Sequence, residues 1–134
     1  MTKRLLITIS TLAALGLIYG CAGGGGSTDP VEIIRTSSGE VSFSKTVQPI
    51  LADHCSRCHA EKKKGALSIM SYKDVIKGGK TPGFVKPNNP DGSKLITSVE
   101  KTATPFMPPR IFPSLTEDRL QALRQWIKEG AKDN

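Results

Sequence analysis

Cys55-Ser56-Arg57-Cys58-His59 constrains this chain more than any other stretch. Two thiols three positions apart at the end of a helix can reach the two vinyl groups of one porphyrin and form thioethers, and the adjacent imidazole then comes beneath the iron. C-x-x-C-H is accordingly the attachment signature of c-type haem. The expectation is one covalent haem c held by Cys55 and Cys58, with His59 ligating its iron. Three other uses of these residues fit less well. A redox C-x-x-C belongs beside the strand and helix of a thioredoxin-like unit, and no βαβ pattern is present. A zinc ion could take Cys55, Cys58, His59 and His54, but structural zinc sites usually draw a second ligand pair from distant sequence, and the stretch after His59 holds no further Cys or His. A Cys55–Cys58 disulfide would explain neither His59 nor the small supply of core-forming residues.

That supply is small indeed. The chain has 134 residues, room for one domain, with four Phe, two Tyr and one Trp against 13 Gly and 9 Pro. A thin core of this kind usually needs a staple, a metal or a cofactor, and a haem would meet the need. The three cysteines are an odd number, which argues against a pure disulfide framework.

The third cysteine, Cys21, ends a targeting segment. Lys3 and Arg4 make a positive start, and Leu5 to Tyr19 is almost unbroken apolar sequence, short for the ~20 residues of a membrane span. Ile18-Tyr19-Gly20-Cys21 resembles the lipobox of bacterial lipoprotein signals, in which the cysteine after a small residue is lipidated and becomes the new N-terminus. Residues 1–20 are read as that signal and residues 21–40 as a lipid-anchored tether, opened by Gly23-Gly24-Gly25-Gly26-Ser27. Residues 41–134 form the folded domain. The chain is expected to be exported and held in the bacterial envelope through Cys21, facing the periplasm. Losing residues 1–20 removes two basic residues and no acid, so the net charge falls from +7 to +5. In an exported chain that balance points to envelope proteins and anionic lipid, and nucleic acid is discounted.

The domain reads as all-α. Ser44, preceded by Phe43, is the expected N-cap of a first helix carrying Val47, Ile50, Leu51 and His54, with Pro49 tolerated near its start. A second short helix is expected over Ser71 to Ile76, stopped by Gly78-Gly79, and a third from Ser93 with Leu95, Ile96 and Val99. The last begins at Thr116, has Glu117 and Asp118 at its positive end, places Leu120, Leu123, Trp126 and Ile127 on one face, and stops at Gly130. No segment alternates as a strand would.

Taken together, Val47 to Leu51, His54 to His59, Gly65-Ala66-Leu67, Tyr72, Gly78-Gly79, Ser93-Lys94-Leu95, Met107-Pro108-Pro109 and Trp126-Ile127 resemble the class I cytochromes c, nearest the planctomycete-type single-haem domains. The resemblance covers residues 41–134 and implies a small helical domain wrapped around one haem, with His59 as proximal and a methionine as distal ligand. Met107, in a proline-stiffened loop before the last helix, falls where the family has Met-Pro-Pro. Met70, beside Leu67 and Ile69, reads as core packing. His/Met ligation favours ferrous iron and closes both axial positions, which implies an electron carrier and no enzyme. The alternative, a haem-based ligand sensor or peroxidase-like enzyme, requires a displaceable distal ligand.

Other side chains have plainer readings. His54 is expected at the surface or helix end, outside the ligand set, and Arg57 either meets a haem propionate or faces solvent. Lys62, Lys63, Lys64, Lys73, Lys77, Lys80 and Lys86 either steer an acidic redox partner or form solvated faces.

Overall fold

The structure is a computed structural model and describes residues 32–60, 64–102 and 104–134. The expected signal at 1–20, the lipidation site Cys21 and the lysines at 62 and 63 lie outside the described residues. Among those described, the fold is helical with no strand, as the sequence predicts. None of its helices is long and apolar enough to cross a membrane.

The first helix starts earlier than expected. Ser42, not Ser44, is the cap: its hydroxyl accepts the Lys45 N–H at 3.2 Å. From there a π-helical turn, Phe43–Val47, leads directly into α1, Gln48–His59, with Pro49 in the first turn, where a missing N–H costs least. Ser44 instead donates its hydroxyl to the Asn134 carbonyl. The cap two residues upstream turns Phe43 inward, where its ring lies 5.4 Å from that of Trp126 and 5.3 Å, edge-on, from that of Tyr72. Such aromatic pairs each add ~0.5–1.5 kcal/mol beyond their burial. Trp126 and Tyr72 bring polar atoms inward with them, and both are satisfied: the indole N–H donates to the Lys132 carbonyl and the phenol to that of Ala131, each at 2.9 Å.

Three further helices complete the fold. The second, α2, spans Tyr72–Lys77 and is capped by Ser71, whose hydroxyl accepts the Asp74 N–H. The third, α3, spans Lys94–Val99 from Ser93, and α4 spans Glu117–Lys128. Thr116 occupies the cap position of α4, yet its hydroxyl is buried without a hydrogen-bond partner. The inward stripe of α4 is Arg119, Ala122, Leu123, Trp126 and Ile127, so Leu120 is only half-buried. Buried Val47, Ile50, Leu51, Ile69, Val75 and Ile96 meet that stripe in one core.

The chain joins the domain before residue 41. Residues 32–40, read from sequence as the end of a tether, bond to the fold: the Ile34 N–H donates to Thr46 Oγ1 at 2.8 Å, and Arg35 and Val41 form an isolated antiparallel bridge. The Val41 N–H donates to Glu129 at 2.7 Å, and Lys132 pairs with Glu40. Tether residues 21–31 lie outside the described residues.

Candidate functional site

Two adjoining chambers open beside the C-terminal half of α1. One has a volume of about 260 Å³, with Leu67, Ile69, Gly79, Phe84 and Leu95 in its walls. The other, of about 240 Å³, runs along Asp53, His54, Arg57, Cys58, Pro108 and Phe112. Cys55, His59, Lys64, Val99 and Met107 line both, so the chambers form one cleft whose shared wall carries a thiol, an imidazole and a thioether. Each chamber alone is smaller than the ~300–1,000 Å³ of a typical small-molecule site, and the two together reach that range.

His59 is the last residue of α1, and the local backbone fixes its tautomer. Its Nδ1 lies 3.0 Å from the Lys64 carbonyl oxygen. A carbonyl only accepts, so Nδ1 carries the proton and Nε2 keeps a free lone pair, the arrangement found at metal-ligating histidines. Burial pushes the ring below the usual imidazole value and outweighs the hydrogen bonds to the backbone at Lys64 and Leu67. The neutral, ligand-competent form is thereby favoured. The Ile69 N–H closes the turn by donating to the His59 carbonyl at 3.1 Å.

The two thiols of the motif are both free, Cys55 on the shared wall and Cys58 in the second chamber. Burial pushes the Cys55 thiol up to about 12, with the neighbouring Cys58 and Asp53 adding to the shift. In the protein without cofactor it is therefore a neutral thiol. Among the described residues no three of His, Cys, Asp and Glu converge on a metal-ion site.

Met107 reaches the cleft from the opposite side of the sequence. Its backbone N–H donates to the Ser98 carbonyl at 2.9 Å, tying the proline-rich loop to the end of α3. Lys94 Nζ holds the Thr104 carbonyl at 2.9 Å, and the Arg57 guanidinium lies 5.1 Å from the centre of the Phe112 ring. Arg57 thus has a third role that its sequence position did not suggest, a cation–π contact across the second chamber. Met70, expected in the core, is 58% exposed and lines neither chamber. Being unbranched and flexible, it stays outside a core already filled by Leu67 and Ile69.

A glycine contact shapes the far wall. A Cβ on Gly79 would lie 2.5 Å from the Gly65 carbonyl oxygen, and the Lys80 N–H donates to that same oxygen at 2.9 Å. Only glycine allows the two backbones to approach this closely.

Arg119 and its partners were not legible as a unit. Arg119 is 4% exposed; its Nη1 donates to Asp53 Oδ2 at 2.9 Å and contacts His54 Nε2, while its Nε is buried without a partner. His54, expected at the surface, has a side chain only 7% exposed. Burial first, then the Arg119 charge, hold its ring below the ordinary value against the opposing effect of Asp53. The cluster backs the second chamber through Asp53 and His54.

Two free thiols and an imidazole with Nε2 available, beside a thioether in a largely apolar cleft, fit covalent attachment of haem c. No curated protein and no solved structure matches the chain. Residues 55–110 match the family model described as Planctomycete cytochrome C, a span that opens on the first cysteine of the motif and takes in Met107. The match over residues 55–110 supports a planctomycete-type cytochrome c domain in this chain, and with it a c-type cytochrome.

Proposed function

We propose that this protein is a single-haem electron-transfer protein of the bacterial envelope, with Cys55 and Cys58 as thioether links, His59 as proximal ligand and Met107 as distal ligand. The observation that carries this reading is the shared wall of the cleft, where Cys55, His59 and Met107 meet. Haem, when bound, supplies a reversible one-electron iron couple. The protein's contribution is to keep His59 neutral with Nε2 free, to surround the site with Leu67, Phe84, Leu95 and Val99, and to present a weak thioether donor that favours the ferrous state. With both axial positions taken by side chains, no site remains for a substrate.

The location rests on sequence. Lys3, Arg4, the apolar run to Tyr19 and the lipobox-like approach to Cys21 support export and lipid anchoring on the periplasmic side. Lys73, Lys77 and Lys86 support an acidic redox partner reached by electrostatic steering. Electron-transfer rates with such a partner then fall as ionic strength rises, and rates indifferent to salt would remove the steering from this proposal.

The deciding experiment is an optical spectrum of the protein produced with haem-maturation machinery, oxidised and reduced, with and without carbon monoxide. Sharp reduced bands, a weak oxidised sulfur-to-iron band abolished in Met107→Ala, and no response of the native protein to carbon monoxide are expected. Ready carbon monoxide binding by the native protein would favour a ligand sensor or peroxidase-like enzyme.

A further inference from the structure

The charge around the cleft is distributed unevenly. Among the described residues, the first chamber has Lys64, Lys80 and Lys94 in its walls and no Asp or Glu, and its remaining surface is mostly apolar. Asp53, the one carboxylate that lines the cleft among the described residues, lies in the second chamber and is bonded to Arg119. An apolar cavity with cations at its rim suits a ligand with an apolar body and anionic ends, because buried carboxylates without partners are costly and ammonium groups satisfy them.

Haem is such a ligand, and its own chemistry orients it. The vinyl groups sit on two adjacent pyrroles and the propionates on the other two. Once Cys55 and Cys58 take the vinyl edge, the propionate edge points away from them. Cys58 lines only the second chamber, whereas Lys80 and Lys94 line only the first. Lys64 borders both chambers, and its carbonyl already receives His59. Lys80 is exposed and lines the first chamber, and a lysine can lay its apolar stem along such a wall while its charged head stays in water. The Gly79 contact with Gly65 fixes the backbone beneath it. Lys94 spends one of its three donors on the Thr104 carbonyl and retains two.

We infer that Lys80 and Lys94 receive the two haem propionates, an assignment that rests on the haem-protein reading above. It separates two classes of lysine in this chain: Lys80 and Lys94 serve the cofactor, and Lys77 on α2, which lines neither chamber, does not. Among the described residues, the charged and titratable side chains that border the cleft are Lys80 and Lys94 in the first chamber, Asp53, His54, Arg57 and Cys58 in the second, and Cys55, His59 and Lys64 in both.

The test uses the full chain loaded with haem: wild type, Lys80→Gln, Lys94→Gln, the charge-preserving Lys80→Arg, and Lys77→Gln as control. The readout is the pH at which the propionates titrate, followed by NMR of carboxyl-labelled haem and by the pH dependence of the reduction potential. Removing a partner cation raises that pH by about one unit in Lys80→Gln and Lys94→Gln. Lys80→Arg and Lys77→Gln stay near wild type. Glutamine variants that superimpose on Lys77→Gln overturn the assignment. Should a glutamine variant fail to fold, wild type alone decides: propionates titrating below the ordinary carboxylate range support it, and an ordinary value overturns it. A wild-type protein that acquires no covalent haem fails at the earlier step and takes both the haem-protein reading and the assignment down.

Discussion

The two sides of the cleft are built differently. The thiols and imidazole come from one continuous helix, and the Lys64 carbonyl and the Ile69 N–H secure its last residue. Three positions of the chemistry are thus set by five consecutive residues. The opposite side is a loop, residues 104–115, with no regular structure. It is tied to the rest by the Met107 bond to Ser98, the Lys94 bond to Thr104, the Lys101 bond to Ser114 and the Arg57 contact with Phe112. Helical placement is local and cooperative, whereas each tie of the loop is a separate contact worth on the order of 1 kcal/mol. On the proposed assignment of ligands, identity of the cofactor resides in the helix and tuning of the iron in the loop.

The strongest challenge to this contrast is to remove the thiols. The Cys55→Ala/Cys58→Ala double variant is expected to yield no covalent haem, checked by haem staining of denatured protein; retained covalent haem would break the assignment of the helix. Next in size is Gly79→Ala. Its methyl group would collide with the Gly65 carbonyl, and overpacking of this kind costs about 1–3 kcal/mol. Denaturant midpoints of the haem-loaded variant should fall accordingly, and an unchanged midpoint would show that the wall yields freely. Smallest is Arg57→Ala. Loss of a cation–π contact worth about 0.5–1 kcal/mol loosens the loop and should lower the stability of the haem-loaded protein by about that amount. Denaturant unfolding measures it, and an unchanged midpoint would mean that Phe112 does not help to hold the loop.

Legibility followed the same division. The Cys-x-x-Cys-His motif and the four helices could be read directly because apolar spacing and terminating glycines are local signals, whereas the first cap lies at Ser42 and not at Ser44. Met107 was reached through resemblance, since nothing local tells a loop methionine that enters a cleft from one that stays in solvent. Met70 shows the difficulty: flanked by apolar residues, it read as packing and is exposed. Arg119 is the instructive miss. Arg119, Ala122, Leu123, Trp126 and Ile127 follow the i, i+3, i+4, i+7, i+8 spacing of a buried stripe, so periodicity alone places position 119 inside. Residue type overruled it, because a lone arginine is rarely buried without a partner, and the partners Asp53 and His54 lie on another helix, invisible to local reading.

The junction at residues 32–41 has a mechanical meaning. The chain enters the domain through the Arg35 and Val41 bridge and is clasped by Glu129 and Lys132 at the end of α4, and none of these residues lines the cleft. Tension on the chain upstream of residue 32 is borne by that clasp and passes into α4 rather than into the loop that carries Met107.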